Sequence, residues 1–164
     1  MSEVYNIIEK KKLDVVSNPI EKSHGLPNEC YTSEKYSFKN FHGADLSQTL
    51  LDTVPKDLYQ KLVKVDLNKP IEVEDNFYGG VMCVGTFTFG HVKPNALDEF
   101  IRITKLGGLI CFTINEGIHE EYGFDKKIDQ LKKDNKWKEV EFFKSDYIAS
   151  KDVNAWLGLY EVIK

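Results

Sequence analysis

The sequence predicts an α/β fold, a mostly parallel β-sheet with an antiparallel C-terminal edge and helices laid against it. Three observations carry this reading. VMCVGTF at 81–87 and LICFTI at 109–114 are uninterrupted apolar runs, the pattern of strands buried on both faces of a parallel sheet. Amphipathic helical periods alternate with the strand-like segments along the chain. The last two strand-like segments have no helix between them and should therefore pair antiparallel.

Taken in order, residues 1–12 place Val4, Ile7, Ile8 and Lys11 on one stripe behind Ser2, a short amphipathic helix. LDVV at 13–16 reads as a short buried strand. SNPIEKSHGLPNECYTSEK at 17–35 has two prolines, a glycine and no sustained period, and reads as a long loop. YSFKNFHGAD then gives a strand ending on Asp45, after which Ser47 caps a helix containing Leu50, Leu51 and Val54. LVKVDL at 62–67 is the next strand, followed by the turn-rich NKPIEVEDN. After the 81–87 strand, Pro94 or Asn95 opens a helix whose apolar face is Leu97, Phe100, Ile101 and Thr104, ending before Gly107 and Gly108. Phe124, Ile128 and Leu131 stand at i, i+4 and i+7 of a charged surface helix. WKEVEFF at 137–143 and AWLGLYEVI at 155–163 form the closing pair of strands. The chain thus divides into an irregular or diverged segment over 1–35 and an α/β domain over 36–164.

Composition narrows the function classes. The 164 residues are 41% hydrophobic and 29% charged, the balance of a soluble globular chain with room for one core. A formal charge of −4 argues against a broad nucleic-acid surface. No apolar stretch approaches the roughly 18 residues of a membrane span, and the N-terminus lacks the apolar segment of a secretory signal. The chain reads as intracellular and cytoplasmic. Cys30, Cys83 and Cys111 have no CxxC spacing and read as buried free thiols, with a reactive or metal-binding cysteine as the minority case. His24, His42 and His119 are too scattered for a metal site.

Open α/β sheets bind ligands beyond the carboxyl ends of their strands, which here fall at Asp45, Asp66, Gly85-Thr86 and Ile114-Asn115. An ionised carboxylate has two acceptor oxygens and no donor, so Asp45 can receive both hydroxyls of a ribose, and Asp66 an exocyclic amine. The alternatives are local: Asp45 facing the dipole of the following helix, and Asp66 opening a turn. His91, in FTFGHVKP after the 81–87 strand, can contact a substrate or take a proton from it, or can be a surface histidine. No Walker-type, HExxH or GxSxG sequence is present. A nicotinamide-dinucleotide site also uses an acid at this strand end, but it needs the GxGxxG turn that the chain lacks.

HGADLSQTLLD, YQKLVKVDLNKP and VMCVGTFTFGHVKPNALDEFIRITKLGGLICFT resemble, in order and spacing, the class I S-adenosylmethionine-dependent methyltransferases. Among these the likeness is to the methyltransferase-like proteins of the Williams–Beuren syndrome critical region, over residues 36–164. The resemblance implies a Rossmann-like methyltransferase fold and S-adenosyl-L-methionine as cofactor. It places the ribose on Asp45 with Leu46 beside the adenine, the adenine edge on Asp66 and Leu67, and the methionine part beside Cys83, Val84, Gly85 and Thr86. His91 becomes the substrate-side residue, with Thr86 to Phe89 shaping the pocket. The methyl acceptor is unspecified, a small molecule being favoured, and no metal is implied.

The sequence also departs from that family. Where a glycine-rich loop of the type LDVGCGTG follows the first strand, this chain reads Leu13-Asp14-Val15-Val16-Ser17-Asn18-Pro19-Ile20-Glu21, so the N-terminal part is truncated or diverged. Pro19 and Glu21 would oppose a methionine carboxylate, one by shape and one by charge. Gly79-Gly80 replaces an acidic and a small apolar residue at the start of the fourth strand, a change expected to weaken that start and add flexibility. Leu106 stands where a proline often precedes the paired glycines. Two functions follow as expectations: an active methyltransferase, or an inactive methyltransferase-like chain serving as an interaction module.

Overall fold

The computed structural model describes residues 15–17, 40–55, 58–148 and 153–164. Seven strands form one sheet: β1 (Val15–Ser17), β2 (Phe41–Asp45), β3 (Lys61–Lys64), β4 (Tyr78–Phe87), β5 (Thr104–Asn115), β6 (Trp137–Ile148) and β7 (Val153–Val162). Their order is β3-β2-β1-β4-β5-β7-β6. The five strands from β3 to β5 run parallel, and β7 inserts antiparallel between β5 and β6. This is the expected α/β architecture, with the hairpin of the last two strands forming the antiparallel edge. Ser17, expected to open the loop over 17–35, instead closes β1, while the rest of that loop, the expected helix over 1–12 and Cys30 lie outside the described residues.

Three α-helices are described: α1 (Gln48–Asp52), α2 (Ala96–Ile103) and α3 (Phe124–Lys133). Ser47 caps α1 as expected, its hydroxyl accepting from the Leu50 amide at 3.3 Å. Helices α2 and α3 pack their apolar stripes on one face of the sheet, where Phe87 of β4 meets Phe100 of α2 and Phe124 of α3. Thr104, expected on the apolar face of α2, instead has extended backbone and opens β5. Its buried hydroxyl donates to the Phe100 carbonyl at 2.6 Å, which satisfies one of the last carbonyls of the helix.

Toward the antiparallel edge the core is aromatic. Phe112 of β5 lies parallel to Tyr160 of β7 at 5.6 Å, and Tyr160 stacks on Trp137 of β6 at 4.2 Å. Gly158 faces Phe112 across the β5–β7 pairing, and a β-carbon there would come within 2.8 Å of the ring. The glycine is thus the space the aromatic ring occupies. Gly79 and Gly80 are buried inside β4 at an irregularity in its pairing with β5. A β-carbon on Gly108 would stand 2.7 Å from the Gly79 carbonyl, so the two glycine pairs let these backbones approach closely. The start of β4 is buried and closely packed, with the pairing irregularity lying at the glycine pair. Cys83 and Cys111 are buried free thiols, as expected.

Candidate functional site

The carboxyl ends of β2, β3 and β4 meet along one rim of the sheet. Asp45 is the last residue of β2 and is only 5% exposed. Its Oδ1 accepts from the Ser47 amide at 2.7 Å, which fixes the carboxylate against the start of α1. Its Oδ2 is buried with no hydrogen-bond partner among the described residues. Burial pushes this carboxyl above the usual aspartate range, partly offset by the Ser47 and Leu46 amides. The local reading of Asp45, facing a helix start, accounts for one oxygen and leaves the other an unfilled acceptor. Leu46 beside it is 62% exposed, an apolar surface at the same strand end.

Asp66 follows β3 and is half-buried. Its Oδ1 accepts from the Asn68 amide at 3.0 Å and its Oδ2 lies 3.4 Å from Lys69 Nζ. The Asn68 amide, and then Lys69, hold this carboxyl below the usual range. Asp66 is therefore ionised and opens a turn, as its local reading has it, with Lys69 as a salt partner at the surface. Leu67 turns inward and packs on the core.

In β4, Cys83 and Val84 are buried, and Cys83 belongs to the core cluster beneath α2 and α3. Gly85 and Thr86 are half-buried at the strand end. Gly85 has φ +76°, in the left-handed region open to glycine, and it interrupts the β4–β5 register between Cys83 and Phe87. Its amide donates to Thr113 Oγ1 at 2.9 Å. Such a bulge re-aims the residues after it toward the rim.

His91 is exposed on the loop after β4, its Nδ1 3.2 Å from Thr88 Oγ1. Two side chains grip this loop. Asn68 Oδ1 accepts from the Lys93 amide at 3.0 Å, and Asn68 Nδ2 donates to the His91 carbonyl at 3.4 Å. From the other side, the Tyr122 hydroxyl accepts from the Gly90 amide at 3.0 Å, and Lys93 Nζ sits 3.8 Å over the Tyr122 ring. The turn bearing Asp66 and the loop bearing His91 are thus tied into one rim.

The chain matches no protein-family model and no curated protein by sequence. Its backbone is similar to solved methyltransferases. The N-methyltransferase NodS from Bradyrhizobium japonicum shares 10% identity over 99% of this chain and 96% of its own, with a TM-score of 0.63. NodS in complex with S-adenosyl-l-homocysteine matches with the same score over 87% of its chain. An S-adenosylmethionine-dependent methyltransferase from Mesorhizobium loti shares 10% identity over 91% of this chain and 90% of its own, again with a TM-score of 0.63. The fold is the methyltransferase fold.

Within that methyltransferase fold, this chain joins β3 to β4 by a connection, residues 65–77, that contains no helix among the described residues. Arg102 of α2 holds it down. Its Nη1 donates to the Val73 carbonyl and Asp75 Oδ1, both at 2.7 Å, and its Nη2 to the Ile71 carbonyl at 2.8 Å. Glu99 completes the clamp, bonding Arg102 through both oxygens and accepting from the Ile71 amide at 2.7 Å. Sequence reading named none of Asn68, Arg102 and Tyr122. The Glu99–Arg102 spacing of i, i+3 was the one legible signal; the other two act through tertiary contacts. Among the described residues no cluster of His, Cys, Asp or Glu could hold a metal ion, and no helix is long and apolar enough to cross a membrane.

Proposed function

We propose that this chain is an S-adenosylmethionine-dependent methyltransferase, with a small molecule as methyl acceptor. The observation that carries the reading is the buried Oδ2 of Asp45, without a hydrogen-bond partner among the described residues, at the end of β2 in a methyltransferase fold. A buried acceptor left unmade costs about 1–3 kcal/mol, and a ribose hydroxyl is a donor that would fill it. Exposed Leu46 offers an apolar face for the adenine. Asp66 and Leu67 border the same base, and Cys83 to Thr86 the methionine part. The likeness of the 82–92 and 102–113 segments to the methyltransferase-like proteins of the Williams–Beuren region supports the same reading. When bound, the cofactor supplies an electrophilic methyl group. The chain's own part is to align an acceptor beside it, and His91 is placed to take the acceptor's proton where there is one.

A second reading has one observation in its favour: Ser17-Asn18-Pro19-Ile20-Glu21 stands where a glycine-rich loop would follow β1. On that reading the chain is an inactive relative that serves as an interaction module. Calorimetry with S-adenosylhomocysteine separates the two. The methyltransferase reading expects saturable binding that Asp45→Ala weakens at least about tenfold, the equivalent of ~1.4 kcal/mol. No binding by folded protein would leave the second reading standing.

A further inference from the structure

The end of β4 is held by a bond from the neighbouring strand. Cys83 pairs with Phe112 of β5 and Phe87 with Ile114, so Val84, Gly85 and Thr86 stand opposite the single residue Thr113. Phe112 and Ile114 belong to the core beneath α2 and α3, and alternation along the strand turns Thr113, between them, to the opposite face of the sheet. Thr113 is the one hydroxyl in the apolar run LICFTI and is only 5% exposed. A hydroxyl buried in such a run needs a hydrogen-bond partner. Its Oγ1 finds one 28 positions away, accepting from the Gly85 amide at 2.9 Å.

That bond makes a choice the bulge cannot make alone. Gly85 has φ +76°, and glycine populates positive and negative φ about as readily, so its own preference does not fix the Val84–Gly85 peptide. The chain is anchored on either side, at Cys83 by the ladder with β5 and in the loop after Phe87 by Asn68 and Tyr122. Between those anchors the Thr113 hydroxyl holds the Gly85 N–H, and with it the direction of the Val84 carbonyl in the same peptide plane. The setting is passed along the strand end. The Thr88 amide donates to the Thr86 carbonyl at 2.9 Å, and the His91 amide to the Thr88 carbonyl at 3.3 Å. We propose that Thr113 is a positioning residue for methyl transfer: by fixing the Val84–Gly85 peptide it holds the end of β4 in the shape that receives the methionine part of the cofactor. The inference rests on the reading that Cys83 to Thr86 border that part, and Thr113 itself acts only through Gly85.

The test is calorimetry of the full chain with S-adenosylhomocysteine and with adenosine, which lacks the homocysteine portion. Thr113→Val keeps the branched shape and removes the acceptor. It should weaken S-adenosylhomocysteine about fivefold, the equivalent of ~1 kcal/mol, and leave adenosine within about twofold. Thr113→Ser keeps the hydroxyl and should return S-adenosylhomocysteine to within about twofold of the wild type. A merely structural role for Thr113 would instead weaken both ligands alike. Equal loss for the two, no loss for S-adenosylhomocysteine, or a serine variant no better than the valine one would overturn the proposal. If Thr113→Val does not fold, the wild type still decides. Exchange of the Gly85 amide, followed by NMR, should slow when S-adenosylhomocysteine is bound and stay unchanged with adenosine, and equal exchange in the two complexes would overturn the proposal. The cofactor reading fails differently, by folded wild-type protein that binds neither ligand, which would overturn both. Binding of both ligands with no split on valine substitution would remove the role of Thr113 alone.

Discussion

Replacing Arg102 with alanine should cost far more than the loss of a surface charge. The guanidinium makes five hydrogen bonds, to both Glu99 oxygens, to Asp75, and to the Ile71 and Val73 carbonyls. The Arg102 and Glu99 side chains are 29% and 21% exposed, so the pair lies closer to the buried than to the surface case. Exposed pairs contribute about 0–1 kcal/mol, whereas removing one partner of a buried pair costs about 3–5. Because the bonds share one group they do not add, and the expected loss is about 3 kcal/mol. For a chain of this size that is a drop of roughly 6–12 °C in the unfolding midpoint. Urea unfolding followed by tryptophan fluorescence reads the first number and a thermal melt the second. Arg102→Lys keeps the charge but not the fork, and should recover less than half. A loss below ~0.5 kcal/mol for the alanine variant would refute the idea that this clamp holds the 65–77 connection in place.

Three other expectations follow. Gly108→Ala places a β-carbon 2.6–2.8 Å from Thr104 Cγ2 and from the Gly79 and Lys105 carbonyls, two of them rigid backbone, and should destabilise by roughly 2–4 kcal/mol in the same urea assay. Asp45→Asn removes a buried charge while keeping an acceptor for the Ser47 amide. At pH 7 it should raise apo stability by about 1 kcal/mol and lower S-adenosylhomocysteine affinity. Because the folded pKa of Asp45 is raised, wild-type stability relative to this variant should fall as pH climbs from 3.8 toward the folded value. His119 is buried on Trp156 at 4.9 Å, and burial lowers its pKa against the opposing fields of Asp125, Glu120 and Asp129. Stability should therefore fall as pH drops below 6.5, and His119→Phe should flatten that part of the stability curve.

Much of this fold was legible because its signals are local. VMCVGTF and LICFTI are apolar throughout because both faces of β4 and β5 are covered, and composition alone records that. Ser47 announces a helix start through a side-chain bond three residues long. Thr104 was misread because its apolar period is compatible with one more helical residue. The strand it opens packs Gly108 close against the Gly79 carbonyl, a contact across 29 positions that no window contains. The site divides in the same way. Asp45 could be picked out from its position at a strand end, but not the imbalance between its two oxygens, which depends on what surrounds it. The grips on the 88–95 loop come from Asn68 and Tyr122, distant in sequence on either side, and neither residue type announces such a role.

Those grips bear on how a methyltransferase fold could bind cofactor without a glycine-rich loop. Affinity depends on how much ordering is left for the ligand to impose. Here the β3 and β4 ends are ordered in advance: the Asp66 turn by its own side-chain bond, the His91 loop by Asn68 and Tyr122, and the 65–77 connection by Arg102. Asp45 is likewise fixed by Ser47, with its free oxygen buried. If the proposed reading holds, the ribose and adenine would meet a rim that needs little rearrangement, and a ligand reaching Asp45 Oδ2 would relieve a cost already present in the protein without it. On the proposed reading the methionine part would meet the sequence after β1, whose Pro19 and Glu21 would oppose its carboxylate by shape and by charge. Adenosine should on these grounds retain most of the affinity of S-adenosylhomocysteine. A ratio of their dissociation constants within about tenfold would locate the recognition at Asp45, whereas a loss of more than about a hundredfold on removing the amino-acid portion would place it at the first strand and refute this division of the site.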